Sequence, residues 1–297
     1  MSRFICPITD FGFKKLFGEE ESKEVLKSFL FHILNLESEI ADISFLPQEQ
    51  LPSAEDERLG IYDLYCIDEK GRRFIVEMQR ASQMYFKDRS IYYSTFLIAQ
   101  QAQRGDWDYQ LNAVYCVGIL NFNLTEDGRY IRTCKICDIE THEIFYDKLT
   151  FVYIELPKFN KGLNELVSLA DKWIYFLKHL SELEEIPQEL SDEPISAAFK
   201  MAEIAAYNEA ERFAYQRSLK RLRDSYGQIE YARITGREQG ALAALRGTLL
   251  LLLREKFGQI PQAIERQIES IQDKEKLNLL LTQVVSADSI SELDFEI

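Results

Sequence analysis

Asp63, Glu77 and Gln79 are the residues in this chain whose types and spacing best suit chemistry. Asp63 lies in Ile61-Tyr62-Asp63-Leu64-Tyr65-Cys66, and the other two in Phe74-Ile75-Val76-Glu77-Met78-Gln79. Both runs alternate and are rich in β-branched and aromatic residues, the pattern of strands. Buried strands rarely carry acids, and here each run carries one. The turn between them has a glycine near its end, so the two runs read as a hairpin. A three-residue loop of Glu69, Lys70 and Gly71, with the glycine left-handed, pairs Asp68 with Arg72 and sets Asp63 opposite Glu77. Directly opposed side chains share a face, with Cβ atoms roughly 4.5–5.5 Å apart. Gln79, two residues on, shares that face. A two- or four-residue loop would instead put the two acids on opposite faces. Opposed carboxylates repel unless a cation sits between them. Mg²⁺ prefers oxygen ligands and needs only one or two carboxylates, with Mn²⁺ as a substitute.

The flanking segments must position this hairpin. Glu21 to Leu36 has Val25, Leu26, Phe29, Leu30, Ile33 and Leu34 at helical spacing, which predicts an amphipathic helix. Asp10 is placed to cap a short turn containing Phe13 and Phe17. Ile40 to Leu46 reads as a strand, and Pro47 to Arg58 as a polar loop entering the hairpin. After Gln79 one helix is expected from about Met84 through Arg89–Ile98 to Arg104, ended by Gly105-Asp106. Arg89, Tyr92, Tyr93 and Phe96 fall on neighbouring turns of it. One reading packs this Tyr/Phe face on the sheet. The other sends Arg89 and Tyr92 to the acids or to a phosphate, which the guanidinium fits well. Ala113 to Phe122 is apolar almost throughout, as in a strand covered on both faces. Arg129 to Cys137 and Thr150 to Leu156 supply further strands, and Leu163 to Leu183 a helix. The fold class is therefore α/β, a mixed sheet flanked by helices.

Asp63 followed by Glu77-Met78-Gln79 resembles the core of the PD-(D/E)XK nuclease superfamily. More closely, it is similar to the Rpn-like recombination-promoting nuclease and transposase branch. Asp10-Phe11-Gly12-Phe13-Lys14-Lys15-Leu16-Phe17-Gly18 resembles that branch's entry motif, and the likeness continues into Arg89-Ser90-Ile91-Tyr92-Tyr93. It covers roughly residues 1–180. The resemblance implies a restriction-endonuclease-like fold and a Mg²⁺-dependent DNA endonuclease linked to recombination or mobile elements. It implies that Asp63, Glu77 and the backbone carbonyl of Met78 hold the metal. The superfamily's lysine position falls on Gln79, which carries no charge but orients water through its amide. Lys14, Arg80 or Arg89 is then left to supply the missing charge. The alternative is a degenerate nuclease fold serving as a DNA- or protein-binding assembly module.

The chain has 297 residues, 46% hydrophobic and 28% charged, an ordinary globular composition. No run of 18 apolar residues suggests a membrane span. Five scattered cysteines and the absence of a secretory pattern at Met1 to Pro7 suggest free thiols in a cytoplasm. The formal net charge of −14 opposes a broad grip on phosphates. Locally the balance reverses: from Arg212 to Lys256 ten basic residues face four acids, an excess of +6. The acidic, proline-bearing segment Glu184 to Pro194 reads as a linker. It separates a nuclease-like domain, 1–183, from an all-α tail, 195–297, that serves assembly or DNA contact. Ile195 to Tyr231, Ala241 to Phe257, Pro261 to Ile271 and Lys274 to Val285 are the tail's expected helices. Leu249 to Leu253 make one of them apolar nearly all round, which favours self-association or docking on the nuclease domain. Cys134, Cys137 and His142 lack a fourth partner and do not make a zinc site. No phosphate loop accompanies Gly236, Gly240 and Gly247.

Overall fold

The computed structural model describes residues 2–46, 49–50, 60–102 and 107–295. The polar loop expected at Pro47 to Arg58 and the helix end at Gly105-Asp106 fall largely or wholly outside these residues. The elements in order are α1 (Asp10–Phe17), α2 (Lys23–Leu34), β1 (Ile43–Phe45), β2 (Glu49–Gln50), β3 (Gly60–Ile61), β4 (Leu64–Asp68) and β5 (Arg73–Gln79). Then come α3 (Phe86–Ala99), β6 (Val114–Leu120), β7 (Ile131–Cys137), β8 (Ile144–Glu155), α4 (Leu169–His179) and α5 (Glu193–Ala202). The series ends with α6 (Glu209–Phe257), α7 (Gln262–Ser270) and α8 (Lys274–Ser286). Six strands form one sheet in the order β1-β4-β5-β6-β8-β7, and β2 pairs only with β3. The β5–β6 and β6–β8 pairings are parallel and the outer ones antiparallel, so the sheet is mixed.

Strand alternation divides the sheet into two faces. Phe74, Val76 and Met78 of β5, with Val117, Ile119, Val152 and Ile154, enter a large core shared with α1, α2, α4 and α5. Trp173 is its largest buried side chain and lies edge-on to Phe29 at 6.0 Å. Ile75, on the other face, joins Tyr62, Tyr65, Val114 and Cys116 beneath Leu97 of α3. Glu77 of the hairpin faces this second, thinner layer.

The hairpin turn has the three-residue closure read from the sequence. Asp68 N donates to Arg72 O at 3.0 Å, Gly71 N donates to Asp68 O at 3.0 Å, and Gly71 has φ +76°. A side chain here is doubly disfavoured, because a Cβ on Gly71 would lie 2.7 Å from Asn112 Nδ2. Gly71→Ala is expected to destabilise the protein by about 1–2 kcal/mol, the cost of a left-handed non-glycine residue. Urea unfolding checks this, and an unchanged midpoint would show that the turn has another way to close.

One compact unit runs from Met1 to Lys220 and a second from Arg221 to Ile297. The first therefore continues past the expected limit at 183 and takes in the start of the expected tail. Ile195, Phe199, Ala202, Tyr207 and Tyr215 are buried in its core, and Phe199 meets Phe176 edge-on at 5.0 Å. Ile5 N also donates to Ala202 O at 2.9 Å, tying the N-terminus to α5. The helix expected over Ile195 to Tyr231 is broken at residues 203–208, where Glu203 is extended and Ile204–Ala206 form a 3₁₀ turn. Beyond the break, α6 continues without interruption through the second expected helix to Phe257. In the second unit Leu249 and Leu253 pack with Ile268, Leu277 and Leu280, while Leu251 is 59% exposed. α7 and α8 thus cover part of the five-leucine run within the chain itself.

Candidate metal centre

β4 and β5 pair in register from Leu64 opposite Val76 to Ile67 opposite Arg73. One step beyond Leu64 brings Asp63, in the bend before β4, alongside Glu77. The hydrogen-bonding alternation along β5 then decides what the backbone offers. Gln79 O accepts from Asn121 N at 2.8 Å, and Arg73 N donates to Ala113 O at 2.9 Å, so odd positions bond toward β6. The even position Met78 must present its N–H and C=O toward the β4 side. Its N–H donates to Asp63 Oδ2 at 2.8 Å. Asp63 thereby replaces the missing strand partner and sits beside the Met78 carbonyl.

Glu77 lies on the α3 face with its side chain 12% exposed. Gln79 Nε2 donates to Glu77 Oε2 at 3.0 Å, which shows that Glu77 and Gln79 share that face. Arg89 comes from α3, with Nη2 3.7 Å from the same carboxylate oxygen. Its guanidinium lies over Phe86 and Tyr93 at 5.5 and 5.8 Å, and Nη1 donates to Gln83 Oε1. Opposite Glu77 on β6 stands Gly118, and both line a small cavity with Arg89, Tyr93, Cys116 and Tyr153. Among the described residues, Glu77 Oε1 and Arg89 Nη2 are buried without a hydrogen-bond partner.

Burial pushes the Glu77 carboxyl up from its ordinary 4.5 to about 8, and the charge of Asp63 pushes it the same way. Arg89 and the Gln79 amide oppose the rise. Asp63 is also raised, mainly by burial, against the Met78 N–H bond that favours its charged form. Asp10 raises it further, while Arg80 and Lys14 lower it. The three expected cations therefore flank the two acids from different elements. Arg80 is held by Ile8 O at 2.8 Å and by Asp10, and Lys14 lies on α1. Tyr92 does not join them. It is 43% exposed and packs edge-on to Phe96 at 5.0 Å.

Asp10 is a member of this electrostatic cluster that the sequence reading assigned only to capping. Thr9 performs the capping instead, accepting from Gly12 N, and Asp10 is the first helical residue. Its position four before Lys14 places both on one helix face, which was a usable signal. The donors fit a divalent cation: two raised carboxylates, one with an orphaned oxygen, beside a backbone carbonyl. Among the described residues no group of three or more His, Cys, Asp or Glu is arranged to hold a metal.

No curated protein and no solved structure matches the chain. Among family models, residues 7–232 match that of the PD-(D/E)XK nuclease family transposase. The matched span contains α1, the acidic hairpin and Arg89, and it ends before the five leucines of α6. With the mixed sheet and its helical flanks, this coverage shows that the chain belongs to the PD-(D/E)XK nuclease family transposases.

Proposed function

We propose that this protein is a Mg²⁺-dependent DNA endonuclease, with Mn²⁺ an alternative ion, acting in recombination or on mobile elements. The observation that carries the reading is the buried acidic pair, Asp63 beside Glu77, with Glu77 Oε1 unsatisfied. Asp63, Glu77 and the Met78 carbonyl would hold the cation. The cation's contribution when bound is to lower the pKa of a water and to neutralise charge on the phosphate. Glu77 offers its free oxygen on the side of the cavity. Gln79 fixes the other oxygen, and its amide remains close enough to orient a water or a phosphate oxygen. Arg89 supplies a half-buried positive charge that a lysine supplies elsewhere in the superfamily. The second unit serves assembly or DNA contact in this reading.

Nicking of supercoiled plasmid by protein free of contaminating nuclease tests the proposal. Wild type should cleave with Mg²⁺ or Mn²⁺ and not with EDTA, and Asp63→Ala should lose at least about 10²-fold, as when an electrostatic group at a reacting centre is removed. Equal cleavage by Asp63→Ala would reject the assigned site. No cleavage by wild type with any metal would turn the reading to the non-enzymatic binding module.

A further inference from the structure

The connection from β5 to α3 leaves the acidic pair and immediately exposes two large side chains. Met84 is 82% exposed and Tyr85 71%. Tyr85 also has φ 62° and ψ 26°, a left-handed conformation costly for a bulky residue. It stands at the N-cap of α3, where its side chain makes no capping bond, so the conformation does not serve the helix end in that way. Strain of this kind persists only where the surrounding structure over-determines it, and it clusters at functional sites.

The turn is tied to the acids by a short chain of contacts. Gln83 accepts from Arg89, and Arg89 reaches Glu77. Along α3 the outward face continues with Ile91, 55% exposed, and Tyr92, 43% exposed. Tyr92 lies seven residues, about two helical turns, beyond Tyr85. Lys87 and Asp88, the exposed charged residues between them, cancel. A ridge without net charge does not grip phosphate, but its aromatic and thioether surfaces suit the faces of nucleobases.

We propose that Met84 and Tyr85 form a base-stacking wedge, by which the protein selects DNA carrying an unpaired base next to the bond it cuts. Tyr85 stacks on the unpaired base, and Met84 fills the opened step, as apolar wedges do where bases are unstacked. This deepens the nuclease reading and rests on it for the nature of the substrate.

The test measures binding of the full chain to two duplexes with Ca²⁺ in place of Mg²⁺, one fully paired and one with a short bubble. Both carry 2-aminopurine at the bubble position. Wild type should bind the bubble about tenfold more tightly and quench its fluorescence, within the range of one aromatic stack. Tyr85→Ala should bring the two affinities close together, and Tyr85→Phe should keep the preference. Tyr85→Gly should lose the preference while raising the melting temperature, because glycine adopts the left-handed conformation without strain. That combination separates loss of stacking from loss of folding. Retention of the bubble preference by Tyr85→Ala and Tyr85→Gly would overturn the inference, as would equal binding of both duplexes by wild type. A protein that cleaves plasmid but ignores the bubble refutes the wedge and leaves the nuclease reading intact. Tyr85-dependent preference without cleavage does the reverse.

Discussion

Glu77→Gln is expected to stabilise the metal-free protein at neutral pH and to flatten its stability between about pH 5 and 8. The folded-state pKa of Glu77 is raised from 4.5 to about 8. Through that window the folded chain holds a proton that the unfolded chain has released. Stability therefore falls as pH rises, by about 1.4 kcal/mol per unit from this group. The raised Asp63 carboxyl acts in the same direction. Glutamine removes the need to take up a proton on folding, and its amide oxygen still accepts the hydrogen bond from Gln79. A divalent cation should reverse the penalty in wild type, since a ligand of the folded state raises its stability by mass action. Asp63→Asn should abolish that gain. Denaturant titrations with EDTA across pH, repeated with Mg²⁺, measure both effects. Parallel pH curves for wild type and Glu77→Gln would show that Glu77 is not held against its charge.

Arg89→Ala should cost about 10²–10³-fold in single-turnover cleavage of a labelled duplex with Mg²⁺, the loss typical of a group aimed at developing charge. Arg89 pairs with Glu77, its Nη2 lying 3.7 Å from the carboxylate. Its ring contacts and bond to Gln83 hold it there, with one nitrogen still unbonded. Arg80 is already committed to Ile8 and Asp10, so Arg80→Ala and Lys14→Ala should have smaller effects. Arg89→Lys should recover part of the loss, because charge returns without the planar fork. Gln79→Ala should lower turnover, and Gln79→Lys should retain or raise it by placing a cation against Glu77. A pH profile separates the roles: losing Arg89 should also move the Glu77 limb upward. Wild-type rates in Arg89→Ala, with large losses in Lys14→Ala or Arg80→Ala, would assign the charge to the α1 side.

The hairpin that carries the candidate acids was legible because its closure depends on local rules. Loop length and a left-handed glycine fix the register, and the register puts Asp63 beside Glu77. The choice among Lys14, Arg80 and Arg89 was not legible, because it depends on how α1 and α3 approach the sheet. Tyr92 shows the same limit: helical spacing gives its neighbours but not which side meets the sheet. The division of the chain was misread at Glu184 to Pro194, where acidity and proline suggested a linker. Lys172 pairs with Asp192 at 2.6 Å, and Leu190 is fully buried, so the segment is anchored in the first unit. The expected helices left a gap between Tyr231 and Ala241, which α6 crosses unbroken although it holds Gly236 and Gly240. Each glycine costs a helix about 1 kcal/mol but does not end it.

The hairpin also bears on when the acids repel each other during folding. β4 and β5 meet across a short turn, whereas β5 and β6 are joined through α3 and the residues after it. Local closure carries the smaller entropic cost, so it favours early pairing of Asp63 with Glu77. In an open hairpin both carboxylates are hydrated, and two charges at 4 Å differ by only about 1 kcal/mol from separated ones. The cost arrives when α3 and β6 enclose Glu77, because burial then holds a proton on its carboxyl. That enclosure needs the non-local β5–β6 pairing, so the burden of the site comes later than hairpin closure. Relieving it with Glu77→Gln should slow unfolding and leave the folding rate nearly unchanged.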